Sequence, residues 1–400
     1  MLRSTIFYLF AFLICSELSS AEQTPVAAKP DQFPKPGTSQ VISGELTMVD
    51  HVNRIGILRP DRSDAHIKYH WDLPHHFTLL PYGMVYRCGS PATLRDIPIG
   101  THLHGQFFLG PKGEFRVPLL DTEYAQKVAN KPNRFSPNSQ FSHVLKLEDD
   151  FTLYQRQGAT WKVISLNRET QKLVAERIDV KSAPTKPEGL TGRQTFDLTS
   201  ATQVWQGDRL ADLDDVAPGQ HVLFNLTWAT LFGPGRLTDI WIDAESREVA
   251  TRRQHHQFLQ HLKDRGFPAR VDHVKHSDGG PGKVTVSFYQ GPRELDFGLF
   301  KLNTSGKLAV AEPTLRAYRQ QNDSKPVHYV EVSTVEDPPP GHSGVTATFQ
   351  MSELLEGVCP GRTIRLFPNG WQPGPLPREE EQNPFNIRPA LLHVDPTNMR

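Results

Sequence analysis

The sequence predicts a mainly β protein, made of tandem small β-barrel modules with one intervening helix. Three observations lead to this fold class. Polar and apolar residues alternate in short runs such as HIKYHW (66–71) and KVTVSFYQ (283–290), a period typical of half-buried strands. The 33 prolines and 29 glycines interrupt these runs, and few long helices could continue through so many breaks. One turn-and-strand pattern also occurs three times.

The chain begins with residues typical of an export signal. Arg3 precedes an apolar run over residues 5–15 that is too short to span a bilayer comfortably. Ser19 and Ala21 then supply the small residues of a cleavage site. We therefore expect residues 1–21 to be a signal peptide and the mature chain to lack a transmembrane segment. The protein would then be periplasmic, displayed on the cell surface or secreted.

The sequence predicts flexible segments at both ends of the mature chain. Residues 22–40 are rich in proline and polar side chains, which is typical of a linker before the first module. Residues 378–400 start with the run REEEQ and predict a flexible tail.

The repeated pattern consists of a leucine, an acidic residue, a short spacer, a proline near a glycine, and a strand. It occurs at 85–108, 204–226 and, more loosely, 349–367. Glycine can adopt the positive φ that such a chain reversal needs. The chain is therefore divided into β module 1 (41–145), β module 2 (146–243), a helix (244–268) and β module 3 (269–377). Small closed barrels of the OB-like type would bury these strands without an exposed edge, and a β-sandwich is the second choice.

The intervening helix is predicted from Glu245 to Arg265, a stretch without glycine or proline. Gly266 and Pro268 then form a stop signal. One packing stripe has the spacing i, i+3, i+4 and i+7 and consists of His255, Phe258, Leu259 and Leu262.

A resemblance rests on the helix end LKDRGFPARVDHV, the turn HSDGGPG and the strand KVTVSFYQG, together with the tandem leucine–acid–glycine segments. Over residues 44–370 the chain resembles a group of secreted β-rich proteins of planctomycete-type bacteria that have no known activity. The resemblance implies an exported β-rich protein and carries no catalytic residues to this sequence.

Composition narrows the choice of partner. The 44 basic and 44 acidic residues balance, whereas a dedicated nucleic-acid binder usually has a basic excess. We expect an exported, non-enzymatic binding or assembly protein whose partner is a protein or a polysaccharide. The first alternative is a metal-dependent enzyme that uses histidines of the first module. The second is nucleic-acid binding through OB-like barrels.

Metal-ligand candidates are concentrated in the first module, where the segment THLHG places two histidines on one face of a strand. The candidates are His66, His70, His102 and His104. A metal site needs a third ligand and usually a hydrogen-bond partner for each imidazole. His66, His70, His75 and His76 of the same module could supply ligands, so a zinc or copper site is conceivable. Leu103 and Phe107 already explain a half-buried strand, so we interpret the histidines as a hydrated strand face and predict no cofactor.

Three tryptophans and two cysteines are weaker candidates for ligand stacking and for a disulfide. Trp71, Trp205 and Trp371 could stack on a ligand, although tryptophans more often belong to a core. Cys88 and Cys359 could form a disulfide in an oxidising compartment or remain free thiols.

Recognisable catalytic motifs are missing from the sequence. It contains neither a G-x-S-x-G elbow nor a complete phosphate loop, and we interpret DGGPGKV (278–284) as a hairpin turn. The adjacent acids at 149–150 and 214–215 predict solvated turns rather than an acid–base pair.

Overall fold

The computed structural model describes residues 26–29, 32–61, 74–111, 136, 138–179, 188–227, 235–277, 280–290, 297–311, 324–355 and 357–375. The predicted signal peptide and the predicted tail lie outside these residues. Strands dominate the described chain and form three small closed barrels in series, which confirms the predicted fold class.

The first barrel has five strands and one short hairpin strand. They are β1 (Gln40–Asp50), β2 (Ile55–Pro60), β3 (His75–Arg87), β4 (Ser90–Ala92), β5 (His102–Phe108) and β6 (His143–Asp149). Hydrogen bonds join them in the order β1-β2-β3-β6-β5 and back to β1, with β3 and β6 parallel and the other neighbours antiparallel. This strand order is that of an OB-like barrel.

The second barrel repeats that strand order. Its strands are β7 (Thr160–Asn167), β8 (Lys172–Ile178), β9 (Arg193–Asp197), β10 (Gln203–Gln206), β11 (Arg209–Ala211), β12 (His221–Thr227) and β13 (Arg236–Trp241). The barrel closes in the order β7-β8-β9-β13-β12, again with one parallel pair, β9 and β13. In both barrels a hairpin and a single 3-10 turn with a capping box precede the fourth barrel strand.

The third barrel is built differently. It consists of β14 (Phe267–Ser277), β15 (Gly280–Tyr289), β16 (Ser305–Val310), β17 (Ser324–Thr334), β18 (His342–Met351) and β19 (Thr363–Phe367). These strands close in the order β14-β15-β18-β17-β16-β19, and every pair is antiparallel. The prediction that the segment 349–367 marks a third copy with the same strand order is therefore wrong. Strands β14 and β15 pair antiparallel up to Ser277 and Gly280, which confirms the predicted hairpin, although residues 278–279 lie outside the described chain and 280–284 belong to β15.

Two α-helices join the barrels. Helix α1 (Asp150–Arg156) follows β6 directly and was not predicted. Helix α2 (Ala244–Arg265) confirms the predicted long helix within one residue. It ends at Gly266, whose φ of 78° suits glycine and where a Cβ would lie 2.9 Å from the Phe367 ring. Within the described chain, neither helix combines the length and the apolar character needed to cross a bilayer.

Helix α2 lies between the first and third barrels. Towards the first barrel, Thr251 Oγ1 donates to the Cys88 carbonyl at 2.8 Å, and Gln257 Nε2 donates to Asp96 Oδ1 at 3.0 Å. Towards the third barrel, Phe258 and Leu262 belong to its apolar core. The helix thus uses a polar face for one barrel and an apolar face for the other.

The described part of the predicted linker packs against this assembly. The Ala28 amide donates to the Leu109 carbonyl at 2.8 Å, and the Phe33 ring lies 4.6 Å from the ring of Tyr82. Ala28 and Tyr82 share a buried cluster with Tyr289 of the third barrel. These contacts show that residues 26–29 and 32–39 follow the surface of the barrels before β1 begins.

Candidate functional site

The THLHG histidines are buried, so the predicted hydrated strand face is wrong. His102 is 2% exposed and His104 is 6% exposed. Leu103 and Phe107 point into the core of the first barrel, as predicted. The histidine face of β5 is covered because the second barrel begins immediately after β6 and places helix α1 against it.

Asp150, the first residue of α1, joins the two histidines into one cluster. Its Oδ1 atom lies 2.9 Å from His102 Nδ1 and 2.9 Å from His104 Nε2. We call His102, His104 and Asp150 the HHD cluster. Each residue offers one metal-ligand atom, and these three atoms lie within 4.8 Å of one another.

The remaining polar atoms of the HHD cluster also have partners. His102 Nε2 lies 3.0 Å from Asp61 Oδ2, and His104 Nδ1 lies 2.8 Å from Ser43 Oγ. Asp150 Oδ2 accepts a hydrogen bond from the Leu226 amide at 3.0 Å. The histidines, Ser43 and Asp61 belong to the first barrel, whereas Asp150 and Leu226 belong to the second unit. The cluster therefore crosses the joint between the barrels.

Burial and charge act in opposite directions in the HHD cluster. Burial disfavours the charged form of His102, but the carboxylates of Asp150 and Asp61 outweigh it and hold the His102 pKa well above its usual value. Burial likewise favours protonated Asp150, but the two imidazoles hold the pKa of Asp150 well below its usual value. The cluster therefore contains a buried ion pair at neutral pH.

Asp149 reinforces the same joint. Its carboxylate accepts hydrogen bonds from the Cys88 amide at 3.0 Å, the Thr152 amide at 2.9 Å and Asn225 Nδ2 at 2.9 Å. Burial nevertheless raises the Asp149 pKa. Asp149 and Asp150 are both fully buried, so the prediction that these adjacent acids form a solvated turn is wrong. They form an N-cap and a first helical turn instead.

A second site is a cavity of about 530 Å³ where the first barrel, α2 and the third barrel meet. Basic side chains dominate its polar lining. The described lining residues include five arginines, namely Arg54, Arg95, Arg265, Arg362 and Arg365. His51, His143 and His261 also line it, and none of the described lining residues is an Asp or a Glu. We call this space the arginine cavity.

The folded chain fixes the position of Arg54 in the arginine cavity. Arg54 lies in the turn between β1 and β2 with a φ of 59°, and its guanidinium donates to the carbonyls of Pro81 at 2.7 Å and Gly83 at 2.9 Å. Burial lowers its pKa to about 10. His261, on α2, is half-buried in the same lining. Burial, followed by the charges of Arg365 and Arg265, lowers the pKa of His261 to about 3.

The remaining site predictions have different outcomes. His66, His70 and Trp71 lie outside the described residues. Trp205 is half-buried, and its Nε1 donates to Asp239 Oδ1 at 3.0 Å. Trp371 packs against the third-barrel core, with its ring 5.6 Å from the ring of Phe267. Both tryptophans thus have structural contacts.

Cys88 and Cys359 are free thiols in the structure, which is the second of the two alternatives that the sequence left open. Cys88 is buried at the joint between the first two barrels, whereas Cys359 is exposed. Burial raises the pKa of Cys88 well above its usual value.

Sequence reasoning missed both Asp150 as a histidine partner and the arginine cavity. The signal for Asp150 was the pair of acids directly after a strand and before a Gly-free, Pro-free segment, which is an N-cap pattern. The cavity arginines are scattered from residue 54 to residue 365 and share no local pattern. No family model, curated protein or solved structure matches this chain, so the function must be argued from these two sites.

Proposed function

We propose that this is an exported, non-enzymatic binding protein that takes an oxyanion-bearing ligand in the arginine cavity. The observation that carries the proposal is the charge of the lining: five arginines and no described acid around one cavity. Like charges on low-dielectric walls concentrate the field inside a cleft, and this field attracts a counter-charge. Guanidinium groups match the planar geometry of carboxylates and the oxygens of sulfate or phosphate.

Size and apolar lining indicate an organic ligand rather than a bare ion. The volume of about 530 Å³ lies within the range typical of small-molecule sites. Apolar surface is contributed by lining residues that are only partly buried, namely Val52, Pro81, Met84 and Pro268. A short acidic sugar chain has both the oxyanions and the carbon–hydrogen faces that such a lining binds. An acidic polysaccharide is therefore the partner class that we propose.

The proposal is tested by calorimetric titration of the mature chain with an acidic oligosaccharide and with a neutral oligosaccharide of equal length. Organic phosphates and a single-stranded oligonucleotide test the other sources of oxyanions. We expect the acidic oligosaccharide to bind more tightly than the neutral one, with an affinity that falls as salt rises. Tighter binding of the oligonucleotide than of the acidic sugar would favour the nucleic-acid alternative.

A pair of variants ties binding to the cavity. Arg95 and Arg362 are exposed lining residues, so Arg95→Gln with Arg362→Gln removes charge with little loss of packing. We expect this double variant to lose affinity roughly tenfold or more. Arg209→Gln, at an exposed site on the second barrel, is the matched control. Unchanged affinity in the double variant would show that the ligand binds elsewhere.

A further inference from the structure

In the HHD cluster two imidazoles face one carboxylate oxygen, whereas an ion pair needs only one of them. Both imidazoles turn one nitrogen towards the same carboxylate oxygen, Asp150 Oδ1, and the rings stand nearly perpendicular at 87°. Three potential ligand atoms thus converge on one small region. This feature is independent of the arginine cavity and of the function proposed for it.

From this convergence we infer that His102 Nδ1, His104 Nε2 and Asp150 Oδ1 form a binding site for one divalent transition-metal ion. The sequence offered only other histidines of the first module as further ligands and did not identify Asp150. The fold supplies that ligand from the next module, 46 residues beyond His104. Two imidazole nitrogens and one carboxylate oxygen are the protein ligands of many zinc and ferrous sites.

Hydrogen bonds to the outer polar atoms of the three proposed ligands support the metal site. Metal-binding histidines usually donate their other ring N–H to a carboxylate, a carbonyl or another oxygen, which fixes the tautomer and aims the free nitrogen at the ion. Asp61 holds His102 Nε2, and Ser43 Oγ holds His104 Nδ1. The Leu226 amide holds the other oxygen of Asp150. Each proposed ligand is therefore oriented by a bond at its outer atom, while its inward atom faces the other two ligands.

The three ligand atoms lie close enough for one ion after a local rearrangement. Ligand atoms about 2.1 Å from a tetrahedral ion lie about 3.4 Å apart. The two nitrogen–oxygen separations in the HHD cluster are both 2.9 Å and would widen by about 0.5 Å, while all three atoms now lie within 4.8 Å of one another. Imidazole ligands favour zinc, iron or copper over calcium and magnesium, which prefer oxygen ligands. Zinc is the ion that we expect from this donor set.

Such an ion would connect two modules. Both histidines lie on β5 of the first barrel, while Asp150 starts the helix that leads into the second. Removing the ion would therefore loosen the joint without removing the core of either barrel. The role inferred for the ion is to fix the orientation of the first two barrels.

The test is made on the mature chain, purified without a histidine tag, stripped with a chelator and dialysed against zinc. Plasma mass spectrometry should then find about one zinc ion per chain. Cobalt loading should give the visible absorption of a low-coordinate nitrogen–oxygen site. Absence of bound metal in the folded, reloaded wild-type chain would overturn the inference and leave the cluster as a hydrogen-bonded ion network.

Three variants locate the ion. His104→Gln should abolish stoichiometric binding, and His256→Gln, at an exposed position on α2, should leave it intact. Asp61→Asn should retain the stoichiometry but weaken zinc affinity by roughly 10- to 100-fold, because it changes only the partner of His102. If His104→Gln does not fold, Asp61→Asn still gives the answer. Wild-type zinc affinity in Asp61→Asn would place the metal elsewhere.

Discussion

The first barrel meets its two neighbours through joints of opposite chemistry. At the joint with the second barrel, carboxylates and imidazoles lie next to one another. Asp149, His102 and His104 each have hydrogen-bond partners there. At the joint with α2 and the third barrel, basic side chains surround a cavity. The first joint combines opposite charges inside the chain, whereas the second concentrates charges of one sign.

This difference indicates different roles for the two joints. A buried carboxylate whose hydrogen bonds are satisfied holds its surroundings in one arrangement, and losing any partner is costly. Arginines gathered around a space create a positive field there, and this field attracts a counter-charge from outside. In the proposed function, the first joint holds the modules together and the second binds the ligand.

The largest effect is expected from Asp149→Ala. This substitution leaves the Cys88 and Thr152 amides and the Asn225 side chain without their common acceptor in a fully buried place. Breaking such a buried charged network should lower the free energy of unfolding by about 3–5 kcal/mol. Chemical denaturation of the mature chain measures it.

Asp214→Ala is the matched control for Asp149→Ala. Asp214 also belongs to a pair of adjacent acids, but its side chain is 64% exposed and pairs with Arg168 at the surface. Its loss should cost no more than about 1 kcal/mol. Equal destabilisation by the two substitutions would contradict the role given to the first joint.

The sequence predicted those features that depend on neighbouring residues. The alternation in KVTVSFY reports one buried face, and β15 has that face in the third-barrel core. Helix α2 was predicted within one residue because a stretch without glycine or proline and its stop at Gly266 are local signals.

Strand order depends on pairings across long stretches of chain and was less predictable. The segment 349–367 shares residue types with 85–108, yet it contributes to a barrel of a different order. A leucine, an acid and a glycine before a strand describe a turn. They do not specify which strands pair beyond it.

The HHD cluster and the arginine cavity were not predicted, because each brings together residues that are distant in the sequence. Alternation along β5 correctly separated His102 and His104 from Leu103 and Phe107. It could not show that a second barrel would cover the histidine face, because Asp150 reaches that face only after β6 has completed the first barrel. A polar strand face is solvated in an isolated module and buried in a tandem one.

A smaller effect is expected from removing charge at the exposed edge of the arginine cavity. Without ligand, Arg95→Gln with Arg362→Gln should change the free energy of unfolding by no more than about 1 kcal/mol, because both side chains are exposed. Denaturant titration measures the change, with Arg209→Gln as the control. A loss of several kcal/mol would show that these arginines hold the second joint together and would contradict their assignment to a ligand.

A pH dependence of the free energy of unfolding is expected from His261. Its pKa falls from 6.5 to about 3 on folding, through burial and through the charges of Arg365, Arg265, Arg95 and Arg54. Between these two values the unfolded chain binds a proton at His261 that the folded chain does not. Stability should therefore fall as pH is lowered from 6.5 towards 3, with a slope of at most about 1.4 kcal/mol per pH unit from this residue.

His261→Gln isolates this contribution, because other groups around the cavity also titrate or carry charge; these are His51, His143, Tyr289 and Arg362. The free energy of unfolding is measured by denaturant titration at several pH values between 4 and 7. The wild-type curve should be steeper than that of His261→Gln, and His256→Gln, exposed on the same helix, should follow the wild type. A saturating oxyanion ligand should reduce the difference in part, because it offsets the arginine charges that add to the effect of burial on His261. Equal slopes for wild type and His261→Gln would show that neither burial nor the arginine charges lower the His261 pKa, and would remove the electrostatic contrast between the two joints.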